Sequence, residues 1–286
     1  MRFLCLHGKG TSASIFKSQS GMYRKFAEEK FQPWHERKLI RLTASFRKLL
    51  GKSYTFDFID GPFPCSAAAG IDLFYRPPYY SFYATPTIDD IRLGHQWLMD
   101  YMEENGPYDG VISFSQGGAL VSSLLLYHQA ETPHLPPPFK VAVFICCGAP
   151  LDCVEDVGIY VSPEAREWDH NSKAELMQKT SSDSILRLGT NRWGEQAFNP
   201  SVPHDISNVY GMNFNMMPDQ LMIPIPTVHI YGAQDPRYPA SITLAHFCDP
   251  LVQKAYDHGG GHDIPRKGEV SKKIAELIEW SAMMAN

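Results

Sequence analysis

Basic residues and long apolar runs are both scarce in this sequence. Lys and Arg number 26 against 31 Asp and Glu, which leaves a net charge of −5. Proteins that bind nucleic acids need a basic surface, so this function class is set aside. No apolar run approaches the roughly 20 residues of a membrane span. The apolar start is interrupted at His7, too early for a signal peptide, so we expect a cytoplasmic protein.

Metal and redox patterns are also missing. The six cysteines include no C-x-x-C pair, so zinc and thioredoxin-like sites lack their usual spacing. Cys5, Cys146 and Cys147 fall in apolar, strand-like runs, and we expect all the cysteines to be reduced and structural. His258 and His262 have the i, i+4 spacing of metal ligands on a helix. The three glycines between them disfavour a helix, so no metal is expected and His258 is assigned to order the loop.

Short apolar runs alternate with helical patterns along the chain. Parallel strands that are covered by helices on both faces have this alternation, so the sequence predicts an α/β fold with a mostly parallel sheet. The predicted strands are RFLCLHG, YTFDFIDGP, YDGVISFS, KVAVFICCG and PTVHIYGAQDP. Helices are predicted over about Ile15–Lys30 and His35–Leu50, from Ile88, directly after Ser115, and over the C-terminal stretch from Gly268.

One interval interrupts this alternation. Between Gly148 and Pro224 the sequence contains no convincing strand. Connections in compact α/β domains normally have only about 2–6 residues. We therefore expect a single domain over residues 1–286, in which residues 151–223 form an inserted helical cap over the carboxyl edge of the sheet.

Aromatic side chains are the candidates for substrate binding. The stretch from Phe63 to Thr87 is rich in aromatics and prolines without a steady period, which predicts a loop that lines a pocket. From this stretch and the cap we select six residues that suit a bulky apolar ligand: Tyr79, Tyr80, Phe82, Trp168, Trp193 and Phe214. A place in the hydrophobic core is the alternative for the first three.

The stretch VISFSQGGAL places Ser115 between an apolar strand and an apolar helix. Nucleophilic serines of hydrolases lie on such a tight strand-to-helix turn, usually in the pattern Gly-x-Ser-x-Gly. Here Ser113 replaces the first glycine, while Gly117 keeps the second. A turn that only requires small residues is the alternative interpretation.

A nucleophilic serine needs a base that takes its proton. Asp235 follows the strand PTVHIYGAQDP, and His262 lies in the loop HGGGHDIP before the last helix. Ser, Asp, His is the chain order of α/β-hydrolases, so Asp235 is predicted to orient the imidazole and His262 to transfer the proton. Asp60 is the alternative acid, although it precedes Ser115.

Two backbone amides are expected to stabilise the oxyanion. One belongs to Gln116, directly after the nucleophile. The other comes from the HGKG loop after the first strand, where Lys9 is preferred over Gly10. His7 is expected to shape this loop through local hydrogen bonds.

Six motifs together resemble the fungal family of serine hydrolases that also includes a human ovarian-tumour-associated hydrolase: FLCLHGKGTSASIFKSQ, FIDGP, YYSFY, YDGVISFSQGGAL, PTVHIYGAQDP and HGGGHDIP. The resemblance implies an α/β-hydrolase fold, a triad of Ser115, Asp235 and His262, and no cofactor. Similar members accompany fungal polyketide pathways and resemble the thioesterases that release an acyl chain. The resemblance therefore implies an ester or acyl thioester substrate, and it suggests the acyl-carrier domain of a polyketide synthase as a candidate partner.

Three functional hypotheses remain open at this point. The first is hydrolysis of an ester or thioester through an acyl-serine. The second is a cyclase or acyltransferase that uses the same triad. The third is a non-catalytic ligand-binding protein with a hydrolase fold. Proteins of the third kind typically lose a triad residue, whereas this sequence keeps all three.

The segment ERKLIRLTASFRKLLGK holds a local excess of positive charge. It is either a solvated helix face or a docking patch for an acidic carrier domain, in which case its attraction weakens with salt. The basic residues of this segment are Arg37, Lys38, Arg41, Arg47, Lys48 and Lys52.

Overall fold

A parallel β-sheet forms the centre of the protein. The computed structural model describes residues 1–21, 45–194, 205–265 and 267–285. In these ranges the central sheet has the strand order β2-β1-β5-β6-β7-β8, and every neighbouring pair is parallel. A separate antiparallel pair joins β3 to β4. The strands are β1 (Arg2–Leu6), β2 (Thr55–Ile59), β3 (Phe63–Pro64), β4 (Tyr80–Ser81), β5 (Gly110–Phe114), β6 (Val141–Ile145), β7 (Thr227–Tyr231) and β8 (Gln253–Asp257).

Helices connect the strands of the sheet. In the described ranges they are α1 (Ala13–Gln19), α2 (Phe46–Leu49), α3 (Ile88–Asn105), α4 (Gln116–Glu131), α5 (Leu151–Asp156), α6 (Pro163–Thr180), α7 (Ser182–Leu188), α8 (Tyr238–His246) and α9 (Gly268–Met284). The helix predicted over about Ile15–Lys30 begins within α1, and the one predicted over His35–Leu50 ends near the end of α2. The remaining parts of both predictions, in residues 22–44, lie outside the described residues. None of the described helices is long and apolar enough to cross a bilayer.

Alternate strand residues pack on opposite faces of the sheet, where they form two hydrophobic clusters. Leu4 and Leu6 of β1 pack on one face of the sheet, in the cluster that includes residues of α3, α4 and α8. Phe3 and Cys5 pack on the other face, with residues of α1 and α9. Each fully buried side chain of this size contributes about 1.5–3 kcal/mol to the stability of the fold. The prediction of a parallel sheet that is covered on both faces is confirmed.

Strand β8 was not predicted. Its sequence QKAYD has no apolar run, because it lies at the edge of the sheet and is at most half-buried. Pairing with β7 places its carboxyl end beside that of β7. The two loops that carry Asp235 and His262 therefore leave the sheet next to each other.

The segment between β6 and β7 holds helices α5, α6 and α7 and three short 3-10 helices, at Gly189–Trp193, Phe214–Met216 and Asp219–Leu221. Residues 195–204, which include Phe198, lie outside the described ranges. An ion pair fixes α6 to the loop after β7: the guanidinium of Arg237 lies 2.8 Å from the carboxylate of Asp169 and 2.7 Å from the hydroxyl of Ser172. Because Arg237 is mostly buried, this contact fastens the helical segment to the sheet's carboxyl edge.

Buried histidines predict how stability depends on pH. Burial lowers the pKa of His95 and His258 to about 4 and that of His229 to about 3. In the unfolded chain these groups bind protons below about pH 6.5, while the folded protein keeps them neutral. Protons therefore favour the unfolded state. As the pH is lowered below about 6.5, the free energy of unfolding should fall by up to about 1.4 kcal/mol per pH unit for each histidine.

Urea unfolding at pH 7, 6 and 5 measures this effect. These pH values lie above the range in which most carboxylates titrate, so the loss reports mainly on histidine. A free energy of unfolding that stays constant from pH 7 to pH 5 would contradict the expectation.

Candidate active site

The turn between β5 and α4 holds Ser115 in a strained conformation. Its φ of 51° and ψ of −113° lie in a region that residues with a side chain rarely adopt. Small neighbours make the turn feasible: a Cβ on Gly117 would lie 2.7 Å from the carbonyl oxygen of Leu6, and one on Gly118 would overlap the Cys147 side chain. The buried Ser113 fits where the usual pattern has glycine, and its hydroxyl donates to the Val143 carbonyl.

The structure brings Ser115, His262 and Asp235 together. The Ser115 Oγ lies 3.0 Å from His262 Nε2, and His262 Nδ1 lies 2.8 Å from Asp235 Oδ2. Asp235 is fully buried, and its other oxygen accepts the Arg237 amide at 2.8 Å. With the Nδ1 proton donated to Asp235, His262 Nε2 is free to accept the serine proton. Asp60 is engaged elsewhere, since its Oδ1 accepts the Ala13 amide at the start of α1.

Two features order the loop that carries His262. The indole of Trp193 packs against Gly261 so closely that a Cβ there would lie 2.1 Å from the ring. His258 accepts the Gly260 amide through Nδ1 at 3.2 Å, as the loop-ordering assignment expects. Its lowered pKa keeps this imidazole neutral, and therefore able to accept, at neutral pH.

The loop after β1 presents a free amide to the site. The Gly10 amide is occupied by the Tyr80 carbonyl at 3.0 Å. Within the described ranges, the amides of Lys9 and Gln116 are paired with no protein acceptor. Lys9 lines the same cavity as Ser115, and Gln116 directly follows Ser115, so these two amides remain the candidates to bind a negatively charged oxygen.

The buried side chain of His7 holds this loop through hydrogen bonds to backbone groups. Its Nδ1 donates to the Gly8 carbonyl at 2.7 Å, and its Nε2 accepts the Gly61 amide at 3.1 Å. Accepting this amide requires a neutral imidazole, and burial lowers the pKa of His7 accordingly. The local role that the sequence indicated for His7 agrees with these contacts.

Ser115 and His262 open into a cavity of about 1310 Å³. Its lining includes Ile71 and Phe74 from residues 63–75, and Leu176 and Met177 of α6. The walls are mostly apolar, so the cavity suits an apolar chain attached to a carbonyl group at Ser115. The half-buried Cys65 also lines it, whereas the other cysteines are buried and all six are free.

The three aromatic residues selected from the Phe63–Thr87 stretch do not line this cavity. Phe82 is fully buried in the core and lies against His7, with ring centroids 4.7 Å apart. Tyr79 is also buried, and its hydroxyl donates to the Tyr75 carbonyl at 2.6 Å. Tyr80 pairs through its backbone with β3 and with Thr11. Their selection as substrate contacts is therefore corrected: for Tyr79 and Phe82 the core alternative holds, and Tyr80 has a backbone role.

The three aromatic residues of the helical segment are not in the cavity either. Trp193 is buried against the His262 loop, and Phe214 packs on Phe247 with ring centroids 5.0 Å apart. Trp168 contacts Tyr210 beside a separate small cavity. Large aromatic side chains gain most by leaving water, which explains why Trp193 and Phe214 pack inward, whereas Trp168 stays partly exposed outside the cavity.

Residues 63–75, in the stretch that was predicted to line a pocket, do line the cavity, but sequence reasoning missed the part of the wall that α6 supplies. Leu176 and Thr180 occur at i, i+4 on α6, with Met177 beside them, and helical spacing is the only signal that points to them. Arg192 and Asp263 add a positive and a negative group to the wall. Asp263 follows His262 in the HGGGHDIP motif, whereas Arg192 belongs to no motif.

One group of potential metal ligands occurs in the described ranges, and it overlaps the candidate triad. It consists of Cys146, Asp235 and His262. Burial and the Asp235 carboxylate raise the pKa of the Cys146 thiol, which therefore stays protonated and is a poor ligand. The other two side chains bond to each other, so this arrangement fits proton transfer better than metal binding.

The basic docking patch is described only in part, since Arg37, Lys38 and Arg41 lie outside the described residues. Lys48 and Lys52 are exposed. Arg47 is not available for docking: its guanidinium donates to the Lys17 carbonyl at 2.7 Å and lies over the Phe58 ring. This arginine joins α2 to α1.

Comparison with known proteins gives consistent matches along the chain. The family model described as serine hydrolase (FSH1) matches residues 1–274. Hydrolase FUB4 of Fusarium oxysporum f. sp. lycopersici is 29% identical over 97% of this chain and 97% of its own. Esterase alnB of Emericella nidulans is 27% identical, with 98% and 96% covered.

A third relative is named as a thioesterase. The dihydromonacolin L-(lovastatin nonaketide synthase) thioesterase of Aspergillus terreus is 25% identical over 96% of this chain and 88% of its own. The order of motifs, the parallel sheet and the family match lead to one conclusion. The chain is an α/β-hydrolase that belongs to the serine hydrolase (FSH1) family.

Proposed function

We propose that this protein hydrolyses the ester or thioester of a bulky acyl chain through an acyl-serine intermediate. The observation that carries the proposal is the hydrogen-bonded series from Ser115 through His262 to the buried Asp235, which opens into the large cavity. A serine hydroxyl that contacts a base, which is in turn oriented by an acid, is the arrangement that activates such a nucleophile.

In the first step, His262 Nε2 takes the proton of Ser115 while Oγ attacks the substrate carbonyl. The carbonyl oxygen becomes negatively charged and is bound by the amides of Gln116 and Lys9. The imidazolium, stabilised by Asp235, then protonates the departing alcohol or thiol. This leaves the acyl group on Ser115.

In the second step, water enters where the leaving group was. His262 takes a proton from it, and the resulting hydroxide attacks the acyl carbonyl at the same oxyanion site. The intermediate collapses, Ser115 recovers its proton from His262, and the carboxylic acid leaves.

The cavity supports an acyl group of considerable size. We place the chain between residues 63–75 and α6, and in this role residues 151–223 act as a cap over the sheet's carboxyl edge. The name of the Aspergillus terreus relative, a thioesterase of a nonaketide synthase, supports a synthase-bound thioester as substrate, and we propose that an acyl-carrier domain holds it. The carrier domain is then the partner that presents the chain.

Matched substrates test this proposal. Oxygen esters and N-acetylcysteamine thioesters of acetyl and of an acyl group of ten or more carbons are compared under the same conditions. We expect release of free acid with a clear preference for the long chain. Failure to turn over any of these esters would contradict the proposed activity.

The length preference is predicted to depend on α6. Met177→Ala and Leu176→Ala remove apolar surface that would contact the chain, so each should reduce kcat/KM about 10-fold for the long substrate and little for acetyl. Trp168→Ala is the matched control on the same helix, because that side chain does not line the cavity. Equal losses on both substrates would assign Leu176 and Met177 to stability alone.

A further inference from the structure

The side chain of Gln116 reaches away from α4 to a neighbouring segment. Its Oε1 accepts the Phe82 amide at 3.1 Å, which fixes the orientation of the carboxamide because that amide can only donate. Its Nε2 donates to the Ser81 hydroxyl at 2.8 Å, and this hydroxyl donates in turn to the Tyr83 carbonyl. All of these groups are buried, so the contacts hold residues 81–83 against the start of α4.

The same segment holds the loop of Lys9 on its other side. The Tyr80 carbonyl accepts the Gly10 amide at 3.0 Å, and the Tyr80 amide donates to the Thr11 carbonyl at 2.7 Å. Lys9 therefore lies directly before a residue whose position is set by Tyr80. A continuous series of hydrogen bonds and backbone links runs from the Gln116 carboxamide to the Lys9 amide.

We propose that Gln116 is a positioning residue that sets the distance between the two oxyanion donors. Its backbone amide is one donor, and its side chain holds the segment that places the other, at Lys9. This inference rests on the proposed function, since it assumes that Ser115 forms a tetrahedral adduct. A displacement of about 1 Å at a catalytic donor reduces turnover up to about 100-fold, so a single long side chain is enough to control the rate.

Gln116→Met tests the inference, because methionine has a similar length and lacks both polar contacts. We expect kcat to fall about 10- to 100-fold with KM within about twofold of the wild type. Affinity for a trifluoromethyl ketone, whose adduct with Ser115 carries the same negative oxygen, should fall in proportion to kcat/KM. Gln116→Glu keeps an acceptor for the Phe82 amide and should recover part of both losses.

Ser123→Ala is the control, since Ser123 lies on the same helix as Gln116. Its buried hydroxyl bonds to His95 and to the Ala119 carbonyl, and not to residues 80–83. It should lower stability without changing kcat or inhibitor affinity. If Gln116→Met does not fold, Ser81→Ala removes the Nε2 contact and the bond from Ser81 to the Tyr83 carbonyl but keeps the Phe82 contact. It should give a smaller, again proportional, loss.

Two results would overturn the inference: unchanged kcat in folded Gln116→Met or Ser81→Ala, or a loss of kcat without loss of inhibitor affinity. The wild-type assay separates this failure from that of the proposed function. A wild type that hydrolyses no ester refutes the function itself, whereas an active wild type with an equally active Gln116→Met refutes only the positioning role.

Discussion

Replacing Ser115 by Ala is expected to reduce the hydrolysis of an activated ester by about 10⁴-fold or more. The alanine keeps the Cβ and the backbone of the turn but removes the oxygen that lies 3.0 Å from His262. Turnover of a short p-nitrophenyl ester measures the loss, and circular dichroism with thermal unfolding shows that the fold is retained.

Ser122→Ala is a suitable control for this variant. Ser122 is buried in the same helix, and its hydroxyl donates to the Ala119 carbonyl of the preceding turn, away from the candidate triad, so turnover should stay close to the wild type. A folded Ser115→Ala protein with near wild-type turnover would remove Ser115 from the role of nucleophile.

The change Asp235→Asn is expected to cost about 10⁴-fold in kcat. An asparagine amide facing His262 Nδ1 donates a hydrogen bond, which favours the tautomer with the proton on Nε2. That nitrogen then cannot accept the proton of Ser115. The imidazolium also loses the buried negative charge that lies 2.8 Å away.

Asp60→Asn separates this effect from a general loss of acidic residues. The Asp60 carboxylate accepts the Ala13 amide at the start of α1, so its replacement should have a small effect on stability and none on kcat. A larger loss in Asp60→Asn than in Asp235→Asn would reverse the assignment of the acid.

The positions of Ser115 and Asp235 were readable from the sequence because each follows a strongly patterned strand. Ser115 follows an apolar strand and precedes two glycines that the turn requires, and Asp235 follows another buried strand. Parallel strands end at the same edge, so chain order alone predicted that these loops meet. The choice of Lys9 over Gly10 agrees with the bond between the Gly10 amide and Tyr80.

The binding surface was not readable in the same way. Aromatic content suggested residues such as Phe82 and Phe214, yet both gain more from the core than from the cavity. The cavity wall combines Ile71, from the stretch that was predicted to line a pocket, with Leu176, which is distant in sequence and belongs to no motif. Which face of a helix meets a loop depends on tertiary packing, and local periodicity does not encode it.

The edge strand β8 shows the same limit in the fold. Buried strands are recognised by apolar runs, whereas Gln253–Asp257 pairs, among the described strands, with β7 alone. Its polar sequence therefore resembles a loop. The position of His262 was nevertheless predicted, because the glycine-rich loop itself carried the signal.

The attachment site of a fluorophosphonate probe is the most direct test of whether Ser115 is an activated nucleophile. The wild-type protein is incubated with the probe, digested, and sequenced by tandem mass spectrometry. We expect one label on Ser115, much slower labelling in Asp235→Asn, and none in Ser115→Ala. A label on another residue, or an enzyme that hydrolyses esters while Ser115 stays unlabelled, would contradict the proposed mechanism.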